Sequence, residues 1–139
     1  MKRILAVDFG MRRIGLAVSD PLQIIATPLE TLTIDNLDDG ITQLRLVCDT
    51  YDLESIIMGY PIGISGNKTD QTKIVDKVIE SLKTMVNFPI IPWDERYTSI
   101  QAKDILHQQG KKARDDKGKV DQLAARIMLQ EYLDSRSIR

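Results

Sequence analysis

The chain has 139 residues, of which 42% are hydrophobic and 28% are charged, a composition typical of a single globular domain. Its longest apolar run covers residues 4–7, and a membrane-spanning helix needs about 20 residues, so no transmembrane helix is expected. The early charges exclude a secretory signal, and the lone Cys48 cannot form an internal disulfide, so we expect a cytoplasmic protein. The net charge of −1 excludes an overall positive charge that would attract nucleic acid to the whole surface.

Three strand-like segments open the chain at residues 3–7, 14–19 and 24–33. Each is rich in apolar or β-branched residues and is bounded by turn residues. Pro28 predicts an edge position or a bulge for the third segment, because proline cannot donate a ladder hydrogen bond. The short links between the segments predict an antiparallel meander.

Helical and strand patterns then alternate along the chain. Asp35 or Asn36 is the predicted N-cap of the first helix, and Thr98 with Gln101 forms a capping box before a later one. The predicted elements are a helix at 37–51, a strand at 55–58, a helix at 71–85, a strand at 89–93, and helices at 98–108 and 119–133. The order βββαβαβαα predicts one α/β domain over residues 1–139, with a five-stranded mixed sheet and helices on both faces.

Acidic residues follow the first and last predicted strands and begin the final helix: Asp8, then Asp94 and Glu95, then Asp121. Ligands collect at the carboxyl ends of parallel strands. If the first and last strands lie close together, their acids should meet there. Asp121 shares a helix face with Ala124, Ala125, Met128 and Tyr132. That face should pack on the sheet, where a buried carboxylate needs a partner.

A divalent cation is one such partner, because it removes the repulsion among three carboxylates and prefers oxygen ligands. Two such ions can activate a water and stabilise a leaving oxygen in phosphodiester hydrolysis. The chain has a single cysteine and a single histidine, His107, so it offers few of the ligands of a zinc site and only one histidine for a Ser–His–Asp triad. Each acid also has a simpler interpretation: Asp8 as a turn former, Glu95 as the surface partner of Arg96 or a lysine, and Asp121 as an acid favoured by the helix dipole.

Four motifs spanning residues 8–125 resemble the YqgF/RuvX family, whose members are described as pre-16S rRNA nucleases and as Holliday-junction resolvases. They are DFGMRRIGLAVSD at 8–20, Gly59-x-Pro61 with Gly66 downstream, DERYTS at 94–99 and KVDQLAA at 119–125. The resemblance implies the RNase H fold and a metal-dependent nuclease site built from Asp8, Glu95 and Asp121. Adjacent residues of a strand face opposite sides. Only one of Asp94 and Glu95 can therefore face the metal; we favour Glu95 as the ligand and keep Asp94 as a residue that could support a ligand.

Glycines and basic residues are the predicted contacts of the substrate. Gly10 should allow a sharp turn beside Asp8 and leave room for a phosphate. The segment at 111–119 carries a charge of +3 and leads directly to Asp121. The predicted substrate-binding residues are Gly10, Arg13, Arg96, Lys111, Lys112, Arg114, Lys117 and Lys119. The loop at 62–68 could also contact a nucleic-acid backbone, or it could be an ordinary strand-to-helix turn.

The acids predict an endonuclease that uses Mg²⁺ or Mn²⁺, and the resemblance implies that it processes the 5′ end of precursor 16S rRNA. Branched DNA is the alternative substrate, since no residue can be assigned to reading a 2′-hydroxyl. A binding module that does not hydrolyse nucleic acid is a further alternative, although such a protein has no need to assemble repelling acids. An ATPase of the actin and sugar-kinase type normally needs two lobes, and this chain provides one.

Overall fold

A mixed β-sheet forms the centre of the protein in a computed structural model, which describes residues 2–63, 65–94 and 117–137, without the side chains of 117–121 and 137. Within these residues the sheet has six strands, in the order β3-β2-β1-β5-β6 with β4 also beside β2. The strands are β1 (Arg3–Phe9), β2 (Arg13–Ser19), β3 (Ala26–Pro28), β4 (Leu32–Thr33), β5 (Leu53–Tyr60) and β6 (Ile90–Asp94).

The amino-terminal strands form the predicted meander, with one difference. β1 and β2 are antiparallel, but the predicted third strand is divided into β3 and β4, which both pair antiparallel with β2. β3 ends at Pro28, which has no N–H to continue a ladder. The described sheet therefore has six strands where the sequence predicted five.

β5 occupies the middle of the parallel half of the sheet. It pairs in parallel with β1 on one side and with β6 on the other. Its residues Ile56, Ile57 and Met58 are completely buried, as expected for a strand covered on both faces. β1 and β6, the first and last strands, are therefore not direct neighbours, because β5 lies between them. β1, β5 and β6 end at the same edge of the sheet, which we call the carboxyl edge.

Helices cover both faces of the sheet, as predicted. α1 (Leu37–Thr50) and α2 (Asp70–Lys83) share a hydrophobic core with one face, and α3 (Lys117–Ser137) packs on the other. Asn36 caps α1 by accepting a 2.8 Å hydrogen bond from the Asp39 N–H. Cys48 is buried in α1, and burial raises the pKa of its thiol to about 11.

α3 begins at Lys117 and ends at Ser137, so it is longer at both ends than the predicted helix. The predicted helix at 98–108 lies outside the described residues. No helix in the described part of the chain is sufficiently long and apolar to span a bilayer.

Candidate active site

Asp8 lies in a row of positions across the sheet, on the face that α3 covers. Its antiparallel partner on β2 is Gly15. On the β5 side, Val7 pairs with Met58, so the next residue of β5, Gly59, lies beside Asp8. Gly59 pairs with Trp93 of β6. Asp8 is half-buried between two glycines, which leaves the space on both sides of its carboxylate free of neighbouring strand side chains.

The space beside Asp8 is bounded by α3. A Cβ atom built on Gly59 would lie 3.8 Å from Asp8 Oδ1 and 3.4 Å from Met128 Sδ. These are ordinary van der Waals distances, so one methyl group fits at Gly59. Any larger side chain there must compete with the Asp8 carboxylate and with Met128 for the same volume.

The turn after Asp8 requires glycine at position 10. The Gly10 N–H donates a 3.0 Å hydrogen bond to Arg13 O, which closes the turn between β1 and β2. A Cβ on Gly10 would lie only 2.8 Å from that same oxygen, and the backbone would have to move to admit it. The sharp turn predicted at Gly10 is therefore present, and Arg13 begins β2 directly after it.

Asp94 lies on the other face of the sheet. It ends β6 and pairs with Tyr60, whose side chain packs against the core formed with α1 and α2. The preceding residue, Trp93, packs on the α3 side instead, as the alternation along a strand requires. Since β5 lies between β1 and β6, the backbones at Asp8 and Asp94 are two strand spacings apart, about 10 Å. Their side chains face opposite sides of the sheet.

Small side chains allow α3 to approach the face that carries Asp8. Ala125 is fully buried, and its helix face packs on Ala6 and Ala17. The predicted members Ala125, Met128 and Tyr132 lie on this face, but sequence analysis missed Leu129 and Leu133, which follow Ala125 by about one and two helical turns. Trp93 meets Tyr132 edge to face, with ring centroids 5.5 Å apart. The Asp121 backbone lies one turn before Ala125, and its side chain is outside the described residues.

A polar network beside the loop after β5 was not predicted. Tyr60 donates a 2.6 Å hydrogen bond to Asp76 Oδ1, and Lys68 Nζ donates to Asp76 Oδ2 at 3.0 Å. The bond to Asp76 raises the pKa of Tyr60, and the Tyr60 hydroxyl lowers the pKa of the Asp76 carboxyl. The network joins the end of β5 to α2, and no local pattern in the sequence signals it.

Several predicted site residues lie outside the described part of the chain. They are Glu95, Arg96, Lys111, Lys112 and Arg114, together with the side chains of Lys117, Lys119 and Asp121. Among the described residues, no group of three or more His, Cys, Asp or Glu side chains could hold a metal ion. Since two of the three predicted ligands are not among them, the assignment of Glu95 and Asp121 stays a prediction.

Comparisons with known proteins give the family and the fold. Residues 2–135 match the family model described as "RuvX: Holliday junction resolvase". A protein of Dictyoglomus turgidum named "Putative pre-16S rRNA nuclease" is 42% identical over 136 residues, covering 98% of this chain and 96% of the relative. A protein of the same name from Ruminiclostridium cellulolyticum is 38% identical over 133 residues, covering 95% of this chain and 94% of its own.

Solved structures resemble the whole chain at low sequence identity. T. thermophilus RuvC in complex with Holliday junction substrate has a TM-score of 0.61 at 13% identity and covers 97% of this chain and 96% of its own. The Fowlpox virus resolvase has a TM-score of 0.56 at 16% identity, and the match covers 96% of this chain and 98% of the resolvase chain. The predicted RNase H-like fold is confirmed. With the match over residues 2–135 and relatives of up to 42% identity, the chain belongs to the RuvX family, described as Holliday junction resolvases.

Proposed function

We propose that this protein is a divalent-cation-dependent endonuclease that processes the 5′ end of precursor 16S rRNA in the cytoplasm. Family membership and the names of its relatives support the class of enzyme, a hydrolase acting on ester bonds. One structural observation carries the proposal. Asp8 lies near the carboxyl edge, between two glycines, on the sheet face that packs against the helix containing Asp121.

The residues of this face suit Mg²⁺ or Mn²⁺. Asp8 offers carboxylate oxygens beside a space that Gly59 keeps open, and hard cations prefer oxygen ligands. We assign Asp8, Glu95 and Asp121 as the residues that would hold the cation and act in catalysis. The placement of Asp94 on the opposite face supports the choice of Glu95 over its neighbour. When bound, the cation would supply activation of water and stabilisation of charge on the leaving oxygen.

The contribution of the chain itself is to position these acids and the substrate. Gly15 and Gly59 add no side chains of their own beside Asp8, and Gly10 closes the turn that follows, which would leave room for a phosphate at the proposed cation site. The predicted basic residues would then attract the phosphates of the substrate. They are Arg13, Arg96, Lys111, Lys112, Arg114, Lys117 and Lys119.

Replacing Lys111, Lys112 and Arg114 with alanine should weaken substrate binding and flatten its dependence on salt. Each lost phosphate contact should reduce the slope of log K against log salt concentration by about 0.7 for a single strand. Binding is measured at several salt concentrations, together with turnover at saturating substrate, which should change little. Lys77→Ala with Lys83→Ala on α2 is the control for the loss of lysine charges, because α2 packs on the sheet face opposite α3. A slope unchanged in the triple variant would count against this role.

Gly59→Val is expected to fold but to cleave at least about tenfold more slowly, because its methyl groups must enter the space between Asp8 and Met128. Overpacking there should also cost about 1–3 kcal/mol of stability. Gly59→Ala is the control, since a single methyl group finds only ordinary contacts. Single-turnover cleavage and thermal unfolding measure both effects. Wild-type cleavage by the valine variant would show that this space is not used.

The direct test compares two substrates, a precursor 16S rRNA 5′ fragment and a four-way DNA junction, each with Mg²⁺, Mn²⁺ or EDTA. The proposal predicts metal-dependent cleavage of the RNA. Cleavage of the junction alone would favour the second candidate, a resolvase, which the description of the family supports. Binding of either substrate without cleavage would indicate a binding module. Asp8→Asn is run alongside, because activity that survives both this change and EDTA would come from a contaminant or another mechanism.

A further inference from the structure

We infer that Gln71 is a positioning residue for Asp8, an inference that rests on the proposed function. Gln71 is the second residue of α2, and its Nε2 donates a 2.8 Å hydrogen bond to the backbone oxygen of Phe9. Phe9 directly follows Asp8 and ends β1. A side chain 62 positions away in sequence therefore holds the backbone next to the proposed catalytic carboxylate.

This bond reaches β1 where its pairing with β5 has stopped. The β1–β5 register ends at Val7 and Met58, two residues before Phe9, whereas the β1–β2 register continues to Phe9 and Ile14. The end of β1 is thus held by the sheet on the β2 side, and Gln71 supplies a partner for Phe9 O from the α2 side. Without that bond, Phe9 O would lose its partner from α2, and the backbone after Asp8 would lose the hydrogen bond that ties it to this helix.

The turn of α2 that carries Gln71 is itself fixed to β5. Thr72, the next residue, is fully buried and donates from its hydroxyl to the backbone oxygen of Pro61, which directly follows β5. Thr69 caps the same turn, and its side chain accepts a 3.3 Å hydrogen bond from the Thr72 N–H. One rigid helical turn therefore connects the ends of β1 and β5, the two strands that carry Asp8 and Gly59.

The consequence for catalysis is geometric. Asp8 would have to hold its position to within a fraction of an ångström, since a misplacement of about 1 Å can cost about 10²-fold in rate. Gln71 has no role in binding the substrate under this inference. Loss of its bond should therefore lower kcat while leaving KM nearly unchanged.

The test uses Gln71→Leu, which keeps the approximate volume but removes the donor, and Gln71→Glu, which presents an acceptor to the same carbonyl. The control is Gln43→Leu on α1, which removes a similar 3.1 Å bond from a glutamine Nε2 to Thr33 O, together with the 2.9 Å bond from the same nitrogen to Asp39 Oδ2. Two quantities are measured in the full chain: kcat and KM on the precursor RNA, and the hydrogen-exchange rate of the Gly10 amide. The Gly10 amide reports on the end of β1 because it closes the following turn.

Both Gln71 variants are expected to lower kcat about tenfold with KM within about twofold of wild type, and to speed Gly10 exchange about tenfold. Gln43→Leu should change neither quantity. Unchanged kcat and exchange in the Gln71 variants would overturn the inference, as would equal changes in the control. If the wild type cleaves no nucleic acid, the proposed function fails, whereas the exchange measurement still decides whether Gln71 holds the end of β1.

Discussion

Asp8→Asn is expected to lose at least about 10²-fold in cleavage rate, because it removes a negatively charged oxygen ligand from the proposed cation site. Asparagine has nearly the same size and shape as aspartate and fits the same half-buried position between Gly15 and Gly59. The stability of the variant should therefore stay close to that of the wild type. Cleavage of the precursor RNA with Mn²⁺ and thermal unfolding of the same preparation measure the two effects separately.

Asp94→Asn is the matched control for this prediction. It makes the same chemical change to an acid that also lies at the carboxyl end of a strand but faces the α1 and α2 side of the sheet. Its cleavage rate should stay near that of the wild type. If the two substitutions reduced cleavage equally, the difference between the two faces of the sheet would not explain which acid acts.

Leu129→Ala is expected to reduce the free energy of unfolding by about 2–5 kcal/mol. Leu129 is completely buried in α3, in the cluster that contains Ile4 and Ile57 of the sheet. The substitution removes apolar contacts and leaves a cavity where α3 attaches. Because α3 carries Asp121, we also expect cleavage to fail at a lower temperature than in the wild type. Urea unfolding at equilibrium and cleavage measured over a range of temperatures provide the two readouts.

Leu46→Ala on α1 controls for the loss of a leucine from a helix. Leu46 is 61% exposed, so its replacement should change the free energy of unfolding by no more than about 0.5 kcal/mol. Equal destabilisation by the two substitutions would mean that the interface between α3 and the sheet contributes less than its burial indicates.

Most elements of the fold could be predicted from local patterns. β1 and β2 are short apolar runs between turn residues, and Ile41, Leu44 and Cys48, which are buried in α1, recur at helical spacing. The division of the third predicted strand was missed because its pattern continues through Pro28 and both parts pair with β2. The central position of β5 could not be predicted either, since strand order depends on long-range pairing that local periodicity does not encode.

The candidate site was predictable only in part. Chain order identified Asp8 at the end of a strand, and alternation showed that only one of Asp94 and Glu95 can share its face. The face of the sheet that Asp94 occupies depends on the register that pairs it with Tyr60, and this register becomes visible only in the folded sheet. The bond from Gln71 to Phe9 could not be predicted, because it depends on the rotation of α2 against the strand ends.

The most direct test of the proposed site is a calorimetric titration of the protein with Mn²⁺, in the absence of nucleic acid. It compares the wild type with Asp8→Asn, Glu95→Gln, Asp121→Asn and Asp94→Asn. We predict that each of the first three substitutions weakens Mn²⁺ binding by about tenfold or more, whereas Asp94→Asn binds like the wild type. Loss of binding in Asp94→Asn together with wild-type binding in Glu95→Gln would contradict the assignment of the cation site to the α3 face.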